Sequence, residues 1–131
     1  MCSWLLPFLL ACATPPEASA PGAAPPAGWA ERFATVRADL ELLGTAHQAK
    51  DQEACLNHWE VAYREHFEPL IEVPLQGRLD GVAVLAVEYD FGRLRDAIGV
   101  PRPGPTESAL TALRQALAEL ERQTAALPPP T

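Results

Sequence analysis

What this 131-residue chain lacks narrows its function before any motif is considered. Its ten Lys and Arg stand against seventeen Asp and Glu, for a net charge of -7 and a pI near 4.8. That balance excludes nucleic acid as a partner, because phosphate binding needs clustered basic side chains, and makes cations the natural ligands. Methionine occurs once, as the initiator, so no His/Met axial pair for haem can form. C-x-x-C-H is absent, which excludes covalent c-type haem; haem held by His47, His58 or His66 alone stays formally open. There is no Gly-rich phosphate loop, no G-x-S-x-G and no H-E-x-x-H, and no nucleophile stands out beside a base. The chain reads as a non-enzyme.

Long apolar runs are also scarce. Trp4 to Ala11 is almost wholly apolar and uncharged, but a membrane span needs about 20 such residues. It reads as the apolar core of a secretory signal over residues 1–11. Leu9-Leu10-Ala11-Cys12 resembles the lipobox of bacterial lipoproteins, which implies cleavage before Cys12 and its acylation by several chains such as palmitate. Several chains give stable anchoring where one gives only marginal binding. Residues 1–8 carry no Lys or Arg, which departs from the usual signal, and a plain secretory signal or a later start codon are the alternatives. Ala13 after the cysteine suits outer-membrane sorting, so the expected location is the cell envelope, on the periplasmic side of the outer membrane.

Residues 12–28 follow as a tether rich in Pro, Ala and Gly, which bury too little surface to offset the entropy of ordering. Residues 29–127 are then one small domain of about a hundred residues, enough for a single core. Residues 128–131, Pro-Pro-Pro-Thr, are expected to be a disordered tail. With Cys2 leaving in the signal and Cys12 acylated, Cys55 has no internal disulfide partner, and it is expected as a small buried apolar residue.

The periodicity predicts an all-α, up-down antiparallel four-helix bundle. The first segment spaces Trp29, Phe33, Val36, Leu40, Leu43 and His47 three or four apart. The second starts with Asp51 as cap and runs through Cys55, Trp59, Tyr63, Phe67 and Leu70; Pro69 predicts a kink or an end, and Pro74 a second break. The third runs from about Leu75 to Ile98, with Leu79, Val82, Leu85, Ala86, Tyr89, Leu94 and Ile98 as its expected core face. Its VAVLAV run at 82–87 is also compatible with a strand. The fourth is expected to be capped by Thr106 or Ser108, with Leu110, Leu113, Leu117, Leu120 and Leu127 as its apolar repeat.

The informative polar residues are acidic. Glu65, Glu68 and Glu72 share one helical face at spacings of three and four, where like charges repel by a few tenths of a kcal/mol per exposed pair. A bound cation would relieve that repulsion. Glu88 lies between the apolar Leu85 and Phe91 and needs a partner if buried. Carboxylates and His from facing helices build metal sites in bundles, with donors suited to iron, zinc or copper. The plainer reading is a solvated acidic face, with Glu88 paired to Arg95 or Arg64 and His66 satisfied at the core boundary.

Trp59, Tyr63 and Phe67-Glu68-Pro69-Leu70-Ile71-Glu72, followed by VEYDFGRLRDAIG from Val87 to Gly99, resemble the extracytoplasmic helical domain found beside high-affinity iron permeases. Imelysin-like iron-uptake proteins are more distantly similar. The resemblance spans roughly residues 50–100. It implies metal binding, with iron as the cation, through Glu68 and Glu88, with Glu65 and His66 as auxiliary ligands. It further implies delivery to a separate membrane permease, because no transmembrane helices follow the domain. The alternative is a lipoprotein that serves protein interaction or envelope structure and binds no metal.

Overall fold

The computed structural model describes residues 28–100 and 102–130. The expected signal, the acylation of Cys12 and nearly all of the tether lie outside the described residues. Those that are described are helical, with no strand among them: α1 Trp29–Gln48, α2 Gln52–Glu60, a π-helical segment Val61–Glu72, α3 Val73–Leu75, α4 Gly81–Ile98 and α5 Pro103–Thr124. The run from α2 through the π segment to α3 is one continuous rod, so there are four rods. The VAVLAV run is helical. No described helix is long and apolar enough to cross a membrane.

The α1 stripe folds as its spacing predicts, with Trp29, Phe33, Val36, Leu40 and Leu43 buried. His47 is only half-buried, and Ala46 takes the last core position of the helix. The chain reverses at Lys50, whose φ of 58° is left-handed, and Asp51 then caps α2 by accepting the Ala54 N–H at 3.0 Å. Cys55 is buried against the Leu43 carbonyl. Burial, with a smaller push from Asp51, holds its thiol pKa up, which fits an inert core residue.

The second rod does not break at Pro69. From Val61 to Glu72 it widens into π geometry, and the Val73 N–H closes the segment on the Glu68 carbonyl, five residues back. Two features of the sequence favour the wider turn. Proline clashes with the carbonyl one α-turn behind it, and a looser turn relieves that contact. In addition, Trp59, Tyr63, Phe67, Ile71 and Leu75 recur every four residues, so a 3.6-residue turn would carry the series off the core by about 40° at each step. All but the partly buried Tyr63 are in fact buried. Pro74 has no N–H to return to the Leu70 carbonyl at α-helical spacing. Arg32, buried on α1, donates to that carbonyl from Nη1 at 2.8 Å. The rod ends at Leu75, just past Pro74, followed by a turn in which Gly77 takes a φ of 76°.

The third rod departs from expectation at both its start and its face. It begins at Gly81 rather than near Leu75, with Asp80 accepting the Val82 N–H at 3.2 Å. Its buried residues are Val87, Phe91, Leu94, Ala97 and Ile98. Val82, Leu85, Ala86 and Tyr89, expected in the core, point outward. α4 has two apolar faces, and the aromatic one wins the interior because Phe91 completes a cluster with Trp59, Tyr63 and Phe67. Its ring centroid lies 5.1 Å from Tyr63 and 5.3 Å from Phe67. α5 starts at Pro103, three residues ahead of the expected Thr106 cap, because proline is suited to the first helical turn. Thr106 is buried instead, and Leu110, Leu113, Leu117 and Leu120 fill the core as expected, whereas Leu127 lies past the helix end at Thr124 and is only partly buried.

α1 packs on α2, the π segment and α5, and α4 packs on α5 and α2. That ring of neighbours is consistent with an up-down bundle. Arg37 and Glu121 form an ion pair between α1 and α5. At the chain ends, the Trp29 indole N–H donates to the Pro128 carbonyl at 2.9 Å.

Candidate functional site

The continuous second rod places Tyr63, Glu68 and Glu72 on successive turns, and the aromatic packing of Phe91 against Tyr63 and Phe67 brings α4 alongside. Glu88, one turn before Phe91, thereby meets Glu72. Both carboxyls are half-buried. Glu72 Oε2 is sealed from solvent and accepts no hydrogen bond from a donor among the described residues. Its carboxyl has Glu88 as hydrogen-bonding neighbour, and two carboxylates make that bond only by sharing a proton. Burial first, then the hydrogen bond and charge of Glu88, then the charge of Glu68, raise the Glu72 pKa to about 7. Tyr63 feels the same field: burial pushes its phenol up, and Glu72, Glu88 and Glu68 add to the shift against an opposing pull from Arg64.

Of the residues singled out in the sequence, Glu68 and Glu88 therefore flank one site, but Glu72 is its centre. Glu68 is exposed at the rim. Glu65 is exposed and is not among the charges that act on Tyr63 or Glu72. His66 turns the other way: its Nδ1 lies 2.5 Å from Asp39 Oδ2 on α1, so the structure does not bring it to the carboxyl pair. The arginines considered as partners for Glu88 are engaged with Glu60 instead. Arg64 lies 2.7 Å from that carboxylate and Arg95 3.9 Å, the latter also stacked over Trp59 at 5.1 Å. Glu72 was visible as the third acid on the Glu65 face. Asp39 was visible as a charge beside Leu40 in an apolar stripe.

The donors at the pair are all oxygen, which suits hard cations or a proton. Among the described residues, no group of three or more His, Cys, Asp or Glu side chains is arranged to hold a metal ion. A cavity of about 560 Å³ lies at the other end of the bundle, lined by His47, Lys50, Gln52, Cys55, Ile98 and Arg102 among others, and contains neither Glu72 nor Glu88.

The chain matches no protein-family model, no curated protein and no solved structure.

Proposed function

We propose that this chain is an extracytoplasmic up-down four-helix bundle, held to the outer membrane through acylated Cys12. It takes up a metal cation at the Glu72–Glu88 pair, with Glu68 adding negative charge from the rim. The observation that carries the reading is the pair itself: two carboxyls from different rods, one holding a proton to about pH 7 through burial and through the hydrogen bond and charge of the other. A cation that replaces the shared proton removes the repulsion and satisfies the buried Oε2. Binding of this kind is pH-dependent and exchangeable, as handing metal on to a separate membrane permease requires. Iron as the cargo rests on the resemblance to the permease-associated domain. His66 and Glu65 have no part in the reading, because one faces Asp39 and the other faces solvent.

Calorimetric titration of the full chain with ferrous, ferric, cupric and zinc ions, beside a Glu72→Gln/Glu88→Gln variant, tests it. Saturable binding at micromolar affinity, lost in the variant and weakened below pH 6, is the expected result. Binding retained by the variant, or no binding at all, overturns the reading. A second reading, protein interaction without metal, is favoured by a separate observation, the apolar outer face of α4.

A further inference from the structure

The cavity of about 560 Å³ lies between the α1–α2 turn and the facing ends of α4 and α5. Small-molecule sites occupy about 300 to 1,000 Å³, so the space suits a ligand rather than a few waters. Its walls are tied together, because Gln52 Nε2 on α2 donates to the Ile98 carbonyl on α4 at 3.0 Å. Cys55 and Ile98, 1% and 6% exposed, give it an apolar side.

The cations at this cavity differ from those elsewhere on the protein. Of the ten Lys and Arg side chains, six arginines face a carboxylate within 4 Å, and Arg32 and Arg78 are engaged as well. The other two are Lys50 and Arg102. Among the described residues neither side chain has an ion-pair or hydrogen-bond partner, and both line this one cavity. Lys50 also holds its φ of 58° just after a helix, where glycine is usual and a side chain is costly.

A third group points to the same place from α5. Thr106 is 1% exposed and lines the cavity, and its hydroxyl makes no hydrogen bond to any described residue. Buried hydroxyls normally have a partner, and a ligand in the cavity would supply one.

The remaining charges fix what that ligand is. Asp51 and Glu107 also border the cavity, the first capping α2 through the Ala54 N–H and the second 4.0 Å from His47. They repel a di- or trianion, and Lys50 and Arg102 repel a cation. We propose that the cavity binds a monocarboxylate with a short apolar body. Lys50, Arg102 and the Thr106 hydroxyl hold the carboxylate, and Cys55 and Ile98 receive the apolar part. The proposal goes beyond the cation reading and does not depend on it.

The test is calorimetric titration of the full chain, without added metal, with octanoate as probe beside 1-octanol and inorganic phosphate. Octanoate is expected to bind saturably and at least about tenfold more tightly than either control. Lys50→Gly, Arg102→Gln and Thr106→Val are each expected to weaken octanoate about fivefold or more. Lys50→Gly suits the left-handed backbone and Thr106→Val removes an unbonded hydroxyl, so Tm in these two is expected to hold or rise while affinity falls. A merely structural role would lower Tm instead. Glu72→Gln/Glu88→Gln is expected to bind octanoate as the parent does, which separates this site from the carboxyl pair. Absence of saturable binding, 1-octanol or phosphate binding as tightly as octanoate, full affinity in any of the three cavity variants, or loss of affinity in Glu72→Gln/Glu88→Gln would overturn the proposal.

Discussion

Glu72 at the end of the π segment and Glu88 on α4 meet as a carboxyl pair from two rods, and the pair holds a proton in a range where ordinary glutamates are ionised. Glu72 titrates near 7 in the folded chain and near 4.5 in the unfolded one, so the folded state binds more protons between those values. The stabilising contribution of the protonated pair is full below about pH 4.5, declines as pH rises and is gone above about 7. Glu72→Gln, which stays neutral, is expected to be nearly silent at pH 5 and stabilising by about 1 to 2 kcal/mol at pH 8, allowing for solvent screening. Thermal unfolding of both proteins across that pH range measures it.

His66 and Asp39 tie the π segment to α1. His66→Ala leaves a largely buried carboxylate without its partner and is expected to cost about 1 to 3 kcal/mol in urea denaturation. Cation binding in the same variant is expected to be unchanged, which separates a structural histidine from a ligand.

Arg32 and Pro74 are coupled through one carbonyl. Arg32→Met removes the donor to Leu70 and is expected to destabilise by about 1 to 3 kcal/mol. Pro74→Ala restores an N–H at α-helical spacing, so the loss from Arg32→Met is expected to be smaller in that background. A double-mutant cycle in urea gives the coupling directly.

Phe91 supports both the core and the carboxyl pair. Phe91→Ala is expected to cost about 3 to 5 kcal/mol, a large part of the stability of a domain this size. Because it also releases α4 from Tyr63 and Phe67, the raised pKa of Glu72 is expected to fall toward the ordinary value, a shift readable by carboxyl NMR titration.

The exposed glycine is a stability reserve. Gly92→Ala is expected to stabilise the chain by about 0.5 to 1 kcal/mol, seen as a raised Tm.

Much of this architecture was legible in sequence, and the places where it was not have physical causes. α1 and α5 carry one apolar stripe each at helical spacing, and both stripes fill the core apart from their last positions, His47 and Leu127. α4 carries two stripes offset around one helix, and periodicity alone cannot choose between them. The choice belongs to Trp59, Tyr63 and Phe67, which are elsewhere in the chain and need a fourth ring. Pro69 and Pro74 marked the anomaly in the second rod, but whether a proline ends a helix or lets it continue depends on whether a neighbour can satisfy the carbonyl it leaves, as Arg32 does for Leu70 ahead of Pro74. For the carboxyl site, the spacing identified the acidic face and Glu88. The choice of Glu72 as its centre required knowing how far α4 slides along the π segment.

The hydrogen bond from the Trp29 indole to the Pro128 carbonyl brings the entry and exit of the domain side by side. Adjacent ends are what circular permutation and domain insertion exploit. Joining residue 128 back to residue 28 through a short linker, with new ends opened at the Gly77 turn, would let the bundle sit as a cassette inside a loop of another protein, entering and leaving through one doorway.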